Sequence, residues 1–315
     1  MKKINRNQKV TQKLALALPV IRGLLARPSG DEDDPYDRVI LEPLREREQP
    51  GSPPWKIGID RLSLIDPTNQ KISGVQQKAI AGYRKKNGTN PELVVLKGAG
   101  AFSVVQDAGQ KPLRNKVAVV TGAAGAIGAG ICRALLENGC RVAATDVVQD
   151  NLDSLVKELE GEGPIIGVRM DVTDKVSVAG GFAQVACTWG GVDVVVVNAG
   201  IAAVSALVDL DLEAFRRLEK VNVDGTLLTL AEAGRLMRLQ GTGGDIVLIS
   251  TKNVFAPGAQ FGAYSATKAA SHQLARIASL EFAAFGVRVN MVAPDAVFSD
   301  GSRKSGLWAT VGPSR

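Results

Sequence analysis

The chain has 315 residues, 45% hydrophobic and 22% charged, which is apolar enough for a sizeable core and too weakly charged for a disordered polymer. Three cysteines at unpatterned spacing (Cys132, Cys140, Cys187) and a single histidine, His272, exclude a disulfide framework, a zinc site and any chemistry needing several imidazoles, so no metal is expected. No apolar run approaches the ~20 residues of a bilayer-crossing helix, so no membrane partner is expected, and the cysteine usage leads us to expect a cytoplasmic location.

The formal charge of +6 is concentrated at the start: residues 1–28 hold Lys2, Lys3, Arg6, Lys9, Lys13, Arg22 and Arg27 with no acid. We read them as a basic tail. The stretch LALALPVI after a basic start has the outline of a targeting segment, but Pro19 and Arg22 interrupt it and no small-residue cleavage site follows. A basic tail can also meet nucleic acid; with only 4% aromatic residues, no nucleic-acid partner is expected. Residues 29–112 read as linker and a remnant α/β segment. PSGDEDDPYDR and REREQPGSPPW carry no helical or strand period, KISGVQQKAIAGYRKK has a helical pattern, and ELVVLKG reads as a strand.

From about residue 113 the character changes. Apolar, β-branched runs at 117–121, 141–146, 165–170, 192–198, 245–250 and 287–293 alternate with helical stretches at about 127–138, 151–160, 175–189, one ending near 239, and 263–285. Strands apolar on both faces belong to a parallel sheet covered by helices on each side, which predicts a doubly wound, Rossmann-like α/β fold with six identifiable strands.

Two constellations carry chemistry. Directly after the first strand, Thr121-Gly122-Ala123-Ala124-Gly125-Ala126-Ile127-Gly128 opens a helix; glycines let the backbone turn sharply and approach a pyrophosphate at the helix N-terminus. Asp146 ends the second strand 24 residues after Gly122, where a carboxylate accepts ribose hydroxyls; local turn chemistry is the alternative, and the glycine turn favours the ribose. Further on, Tyr264-Ser265-Ala266-Thr267-Lys268 sets a phenol and an ammonium four residues apart on one helix face. A cation within ~4–6 Å lowers an acid's pKa by about 1 to 3, which would make Tyr264 a usable proton donor and acceptor.

With these motifs in this order, the stretch from about Leu113 onward resembles the short-chain dehydrogenases/reductases. TGAAGAIG, Asp146, Asp171 after the third strand, Asn198-Ala199-Gly200 after the fourth, Asn222, Ser250-Thr251 and Tyr264 with Lys268 carry the resemblance. It implies a catalytic set of Asn222, Thr251, Tyr264 and Lys268, with Thr251, thirteen residues before the tyrosine, in the place of the family's serine. It also implies NAD as cofactor, held by Gly122, Ala124, Gly125, Ile127, Gly128, Asp146, Asp171, Val172, Asn198, Ala199, Gly200, Tyr264, Lys268 and Val297. Asp171 would meet the adenine amine, and the family's seventh strand has no candidate before Arg315. Ser250 is the alternative hydroxyl, and His272 reads as a packing or interface residue.

STKNVFAPGAQFGAYSATKAA and VAPDAVFSDGSRKSGLWA further resemble the dehydrogenase half of bifunctional rhamnulose-1-phosphate aldolase/alcohol dehydrogenase proteins, through Lys252-Asn253 and Pro294-Asp295. The metal-binding histidines of the aldolase half are missing. Asn253 and Asp295 suit substrate hydroxyls or local turn bonds equally. The expectation is an NAD-dependent oxidoreductase of a small alcohol/carbonyl substrate, sugar-like or a hydroxyaldehyde, with self-association left open. The alternative is a non-catalytic dinucleotide-binding or partner-binding protein.

Overall fold

Runs such as Val117-Ala118-Val119-Val120 and Val194-Val195-Val196-Val197 are buried at every position, which only a sheet covered on both faces permits. The computed structural model of the chain describes residues 6–44, 55–58, 74–97, 99–295 and 297. Part of the expected tail (1–5) and linker (45–54, 59–73) and the end of VAPDAVFSDGSRKSGLWA lie outside the described residues.

The elements run α1 (Arg6–Leu25), β1 (Arg27–Pro28), β2 (Tyr36–Asp37), β3 (Ile40–Pro43), β4 (Trp55–Gly58), α2 (Gly74–Asn87), β5 (Leu93–Lys97) and β6 (Gly100–Val105). There follow β7 (Val117–Thr121), α3 (Ala126–Glu137), β8 (Arg141–Asp146), α4 (Gln149–Glu158), β9 (Ile165–Arg169), α5 (Lys175–Trp189) and β10 (Val194–Val197). Then come α6 (Leu212–Glu219), α7 (Gly225–Gln240), β11 (Gly244–Ile249), α8 (Gly262–Phe282) and β12 (Val287–Val292). The main sheet is parallel throughout, in the order β12-β11-β10-β7-β8-β9. This is the expected doubly wound, Rossmann-like arrangement with six strands. Strand order reverses between β7 and β10, and the crevice beyond the carboxyl ends of those two strands is where such sheets bind ligands. Among the described residues β12 is one edge of the sheet.

Before β7 the expected helix and strand are present as α2 and β5, while the tail and linker readings are overturned. The residues taken as a basic tail include α1, whose Leu18, Ile21 and Leu25 are fully buried, in a core cluster with Val39, Leu41, Val94 and Leu96. Pro19 lies inside this helix, and the helical 3–4 spacing of its leucines outweighs the basic charge. The supposed linker contributes β3, which pairs with β6 in a separate four-stranded sheet ordered β3-β6-β5-β4.

Arg22, a component of the apparent basic excess, is 1% exposed. Its Nη2 donates to Asp193 Oδ2 at 2.6 Å and to the Asn115 carbonyl at 2.8 Å, its Nη1 to Asp193 Oδ1 at 3.0 Å, and its Nε to the Val39 carbonyl at 2.5 Å. Asp193 also accepts from the Val117 N–H and from Gln240 Nε2 and pairs with Arg38. Burial alone would push the Asp193 carboxyl up, but Arg22 and Arg38 outweigh it and hold it below the usual carboxylate range.

Removing one partner of a buried pair costs about 3–5 kcal/mol, so Arg22→Met is expected to lower the urea midpoint by that much stability at an unchanged slope. An unchanged midpoint would mean that Arg38 alone satisfies the carboxylate. Because the Asp193 carboxyl is held low, its contribution is complete above the ordinary value of ~3.9. It should disappear as pH falls through the lower folded value.

Candidate active site at the sheet switch point

The switch point is built by small residues in close contact. Gly122 has a φ of +61°, and a Cβ there would lie 2.8 Å from Ala199 Cα; a Cβ on Gly128 would lie 2.4 Å from the Gly122 carbonyl oxygen. Only glycine serves at these positions. Thr121 Oγ1 accepts the N–H groups of Asn198 and Ala199 at 2.9 and 3.0 Å, and Asn198 Nδ2 donates to the carbonyls of Thr121 and Gly122 at 2.9 and 3.0 Å. The turns after β7 and β10 are thereby one rigid unit.

The helix opened by the glycine turn has no side chain capping Gly125 and no acid in its first turn, so its N-terminal dipole and N–H groups are left for an anion. Asp146 Oδ2 accepts the Ala124 N–H at 3.1 Å and Oδ1 the Val148 N–H at 3.2 Å. The carboxylate therefore stands beside the glycine turn while making the local bonds that its alternative reading describes. A narrow glycine cradle, an uncapped helix start and a carboxylate at the end of β8 fit a dinucleotide.

Asp171 spends one carboxylate oxygen on the N–H and hydroxyl of Thr173, both at 2.8 Å, a turn bond rather than an open acceptor. Val172 packs where a Cβ on Gly225 would collide with it. Ile127 is half-buried in α3, and Val297 is exposed.

Across the crevice, the reacting groups converge from three elements. A π-turn, Lys220–Asp224, joins α6 to α7 and buries Asn222, whose amide exchanges bonds with the Ile201 backbone at 2.9 Å each way and donates to Thr267 Oγ1 at 3.0 Å. A Cβ on Gly200 would stand 3.1 Å from Asn222 Oδ1 and 3.4 Å from Lys268 Nζ, so these two polar atoms meet around that glycine. Lys268 Nζ donates to the Ile249 carbonyl at 2.8 Å, and Thr251 lies close enough to the half-buried Tyr264 to influence its phenol. Ser250 is occupied elsewhere: its Oγ lies 3.2 Å from His272 Nδ1, and His272 packs edge-on to Phe255. Asn253 is buried, its N–H 3.3 Å from Thr251 Oγ1, while Asp295 is exposed and paired with Lys252 at 2.5 Å.

The electrostatics correct one expectation. Burial pushes the Tyr264 phenol up, and the opposing influence is the Thr251 side chain rather than the Lys268 ammonium. Lys268 is itself pulled down to about 8 by burial, its charge poorly solvated and turned to the Ile249 carbonyl. Sequence reasoning also passed over Thr121, Thr267 and Ser271. Ser271 Oγ donates to the Asn222 carbonyl at 2.6 Å, and Thr267 Oγ1 to that of Tyr264 at 2.9 Å. The signal was present as a polar stripe: Tyr264, Thr267, Lys268, Ser271 and His272 recur at helical spacing.

The short chain dehydrogenase family model matches residues 116–309. The chain is 40% identical over 199 residues to cis-4-hydroxycyclohexanecarboxylate dehydrogenase of Sinomonas cyclohexanicum, covering 62% of this chain and 78% of that protein. It is 35% identical over 199 residues to an uncharacterized oxidoreductase of Bacillus subtilis, of whose length the match spans 28%. Among solved structures, NAD+-bound xylitol dehydrogenase superposes with a TM-score of 0.61 at 28% identity, over 65% of this chain and 80% of that one.

Burial of Lys268 makes a prediction with a definite sign. A lysine whose folded pKa is about 8 against an ordinary ~10.4 penalises the fold fully below pH ~8, and stability recovers as pH rises toward ~10.4. Lys268→Met is expected to stabilise the chain by about 1–3 kcal/mol at pH 7 and to abolish that rise. Thermal denaturation between pH 7 and 10.5 checks this; a variant less stable than wild type at pH 7 would contradict it.

Proposed function

Because the chain belongs to the short-chain dehydrogenase family of oxidoreductases, which act on alcohols and carbonyl compounds, we propose that it is an NAD-dependent enzyme for a small, hydroxyl-rich alcohol/carbonyl pair. The observation that carries this reading is that Asn222 Oδ1 and Lys268 Nζ both lie beside Gly200, with Tyr264 on the same helix as Lys268 and Thr251 brought to it from the end of β11. When bound, the dinucleotide supplies the hydride donor or acceptor.

The chain's own groups do the rest. Thr251 holds the substrate oxygen as a neutral donor and acceptor, and Tyr264 gives or takes the proton at that oxygen. Burial holds the phenol above its ordinary value, so at neutral pH it stands as the proton donor. Lys268, with a pKa of about 8, is near enough to ambient pH to pass a proton on, and Asn222 fixes the Ile201 backbone behind it. A buried ammonium that penalises the fold argues against the non-catalytic alternative, which has no use for one. We further read the substrate as a small molecule and the location as cytoplasmic. The likeness to the dehydrogenase half of a bifunctional protein is supported by the Bacillus subtilis relative's much greater length.

Tyr264→Phe should abolish turnover while leaving NAD binding nearly intact, since only the proton-moving hydroxyl is lost. Thr251→Ala should cost ~10²-fold in rate, the scale of one oxyanion donor, and Thr251→Ser should stay close to wild type. Steady-state rates with polyols and simple alcohols test this; if Ser250→Ala is the damaging change, the wrong hydroxyl was chosen.

Cofactor choice rests on Asp146. Its carboxylate would stand near the 2′-phosphate of NADP; the exposed Val147 and Val148 that follow bring no arginine, and Arg169, across the sheet from Asp146, turns its Nε to the Val147 carbonyl at 3.3 Å. Two like charges ~4 Å apart repel by up to about 4 kcal/mol at an effective dielectric of ~20, while NAD gains hydrogen bonds from the same oxygens. NAD is expected to bind at least ~10²-fold more tightly, and Asp146→Ser to narrow the gap. Dissociation constants for both cofactors decide it: equal affinities in wild type, or an unchanged ratio in the variant, would remove Asp146 from the ribose.

A further inference from the structure

Beyond the carboxyl ends of β11 and β12 the two chains continue side by side, the Ser250 N–H donating to the Val292 carbonyl at 2.8 Å and the Lys252 N–H to the Pro294 carbonyl at 3.0 Å. This brings Lys252, which directly follows the hydroxyl of Thr251, against Asp295, and their side chains pair at 2.5 Å. The pair is not buried: the Lys252 side chain is 38% exposed and that of Asp295 64%. An ion pair so open to water adds little to stability, and neither group has another partner among the described residues. One ammonium N–H is engaged and the others are free; one carboxylate oxygen is engaged and the remaining lone pairs are open. The pair therefore offers donors and acceptors side by side, with no net charge, one residue from Thr251.

That combination matches one chemical class. A hydroxyl donates and accepts at once, so the carbinol's neighbouring hydroxyl can accept from Lys252 while donating to Asp295 without separating them. An anionic group in the same place would meet the Asp295 carboxylate, and an apolar ring would strip water from both charges for no return. We propose that Lys252 and Asp295 act together as the specificity-determining pair, holding the hydroxyl next to the reacting carbon of a neutral polyol. This rests on the oxidoreductase reading above and names its substrate class. The Asn253 N–H, 3.3 Å from Thr251 Oγ1, ties the turn that carries Lys252.

The test compares kcat/KM for xylitol or threitol with that for cyclohexanol, which has no neighbouring hydroxyl, in wild type, Asp295→Gly, Lys252→Met and Lys252→Arg. The ratio of polyol to cyclohexanol should fall at least ~10-fold in Asp295→Gly and Lys252→Met, mainly through KM, and Lys252→Arg should restore most of it. A ratio that stays constant across all four proteins overturns the proposal, as does a wild-type preference for cyclohexanol. If wild type oxidises neither alcohol, the oxidoreductase reading fails separately, and calorimetric binding of xylitol by the full chain takes over. Weaker binding by Asp295→Gly than by wild type then sustains the pair as a polyol site, and equal or no binding overturns it.

Discussion

A single buried carboxylate holds the far end of this molecule together. Asp193 begins the approach to β10, and every one of its bonds comes from a different stretch of chain: a guanidinium from α1, a second from the segment before β3, an amide from the end of α7 and the first N–H of β7. A charge taken from water must be met by opposite charge and donors on all sides or it unfolds its surroundings. The requirement fixes where α1 lies and sets β7 against β10 at their amino ends. The turns at their carboxyl ends inherit that setting.

At those carboxyl ends the balance of forces is reversed. The Asp193 carboxylate is met by charge and donors on several sides, whereas Lys268 is buried with one carbonyl partner and a depressed pKa, and α3 starts without a cap. Unmet electrostatic need is concentrated where a ligand can supply it. One face of α8 carries nearly all of this chemistry, so the helix acts as a ruler: its pitch spaces phenol, ammonium and supporting hydroxyls, and the π-turn before α7 adds Asn222 from outside.

The parts of this arrangement visible in the sequence were those with a period or a fixed spacing. The central strands β7, β8 and β10 could be read because burial on both faces leaves no alternation to misread, and the glycine turn because its geometry admits no side chain. α1 and β3 were hidden by charge. Arg22 and Arg38 look like surface cations, and nothing local says that their counter-charge lies far along the chain. Asp193 itself was passed over for the same reason. The ammonium's effect on Tyr264 was overread, since spacing tells which residues share a helix face but not which carbonyl a long side chain will choose. Lys252 and Asp295 were noticed singly, their pairing being a matter of two loops meeting in space.

The seating of α1 has a temporal side. Its Arg22 bonds Asp193 and Gln240, at sequence separations of 171 and 218, so α1 leaves the ribosome well before the residues that hold it are made. At ~5–20 residues per second the wait is on the order of tens of seconds. Throughout that interval Leu18, Ile21 and Leu25 have no α5 or α7 to cover them. α1 thus docks long after it is made, and the nascent chain carries an apolar stripe that chaperones are suited to shield until the sheet is complete.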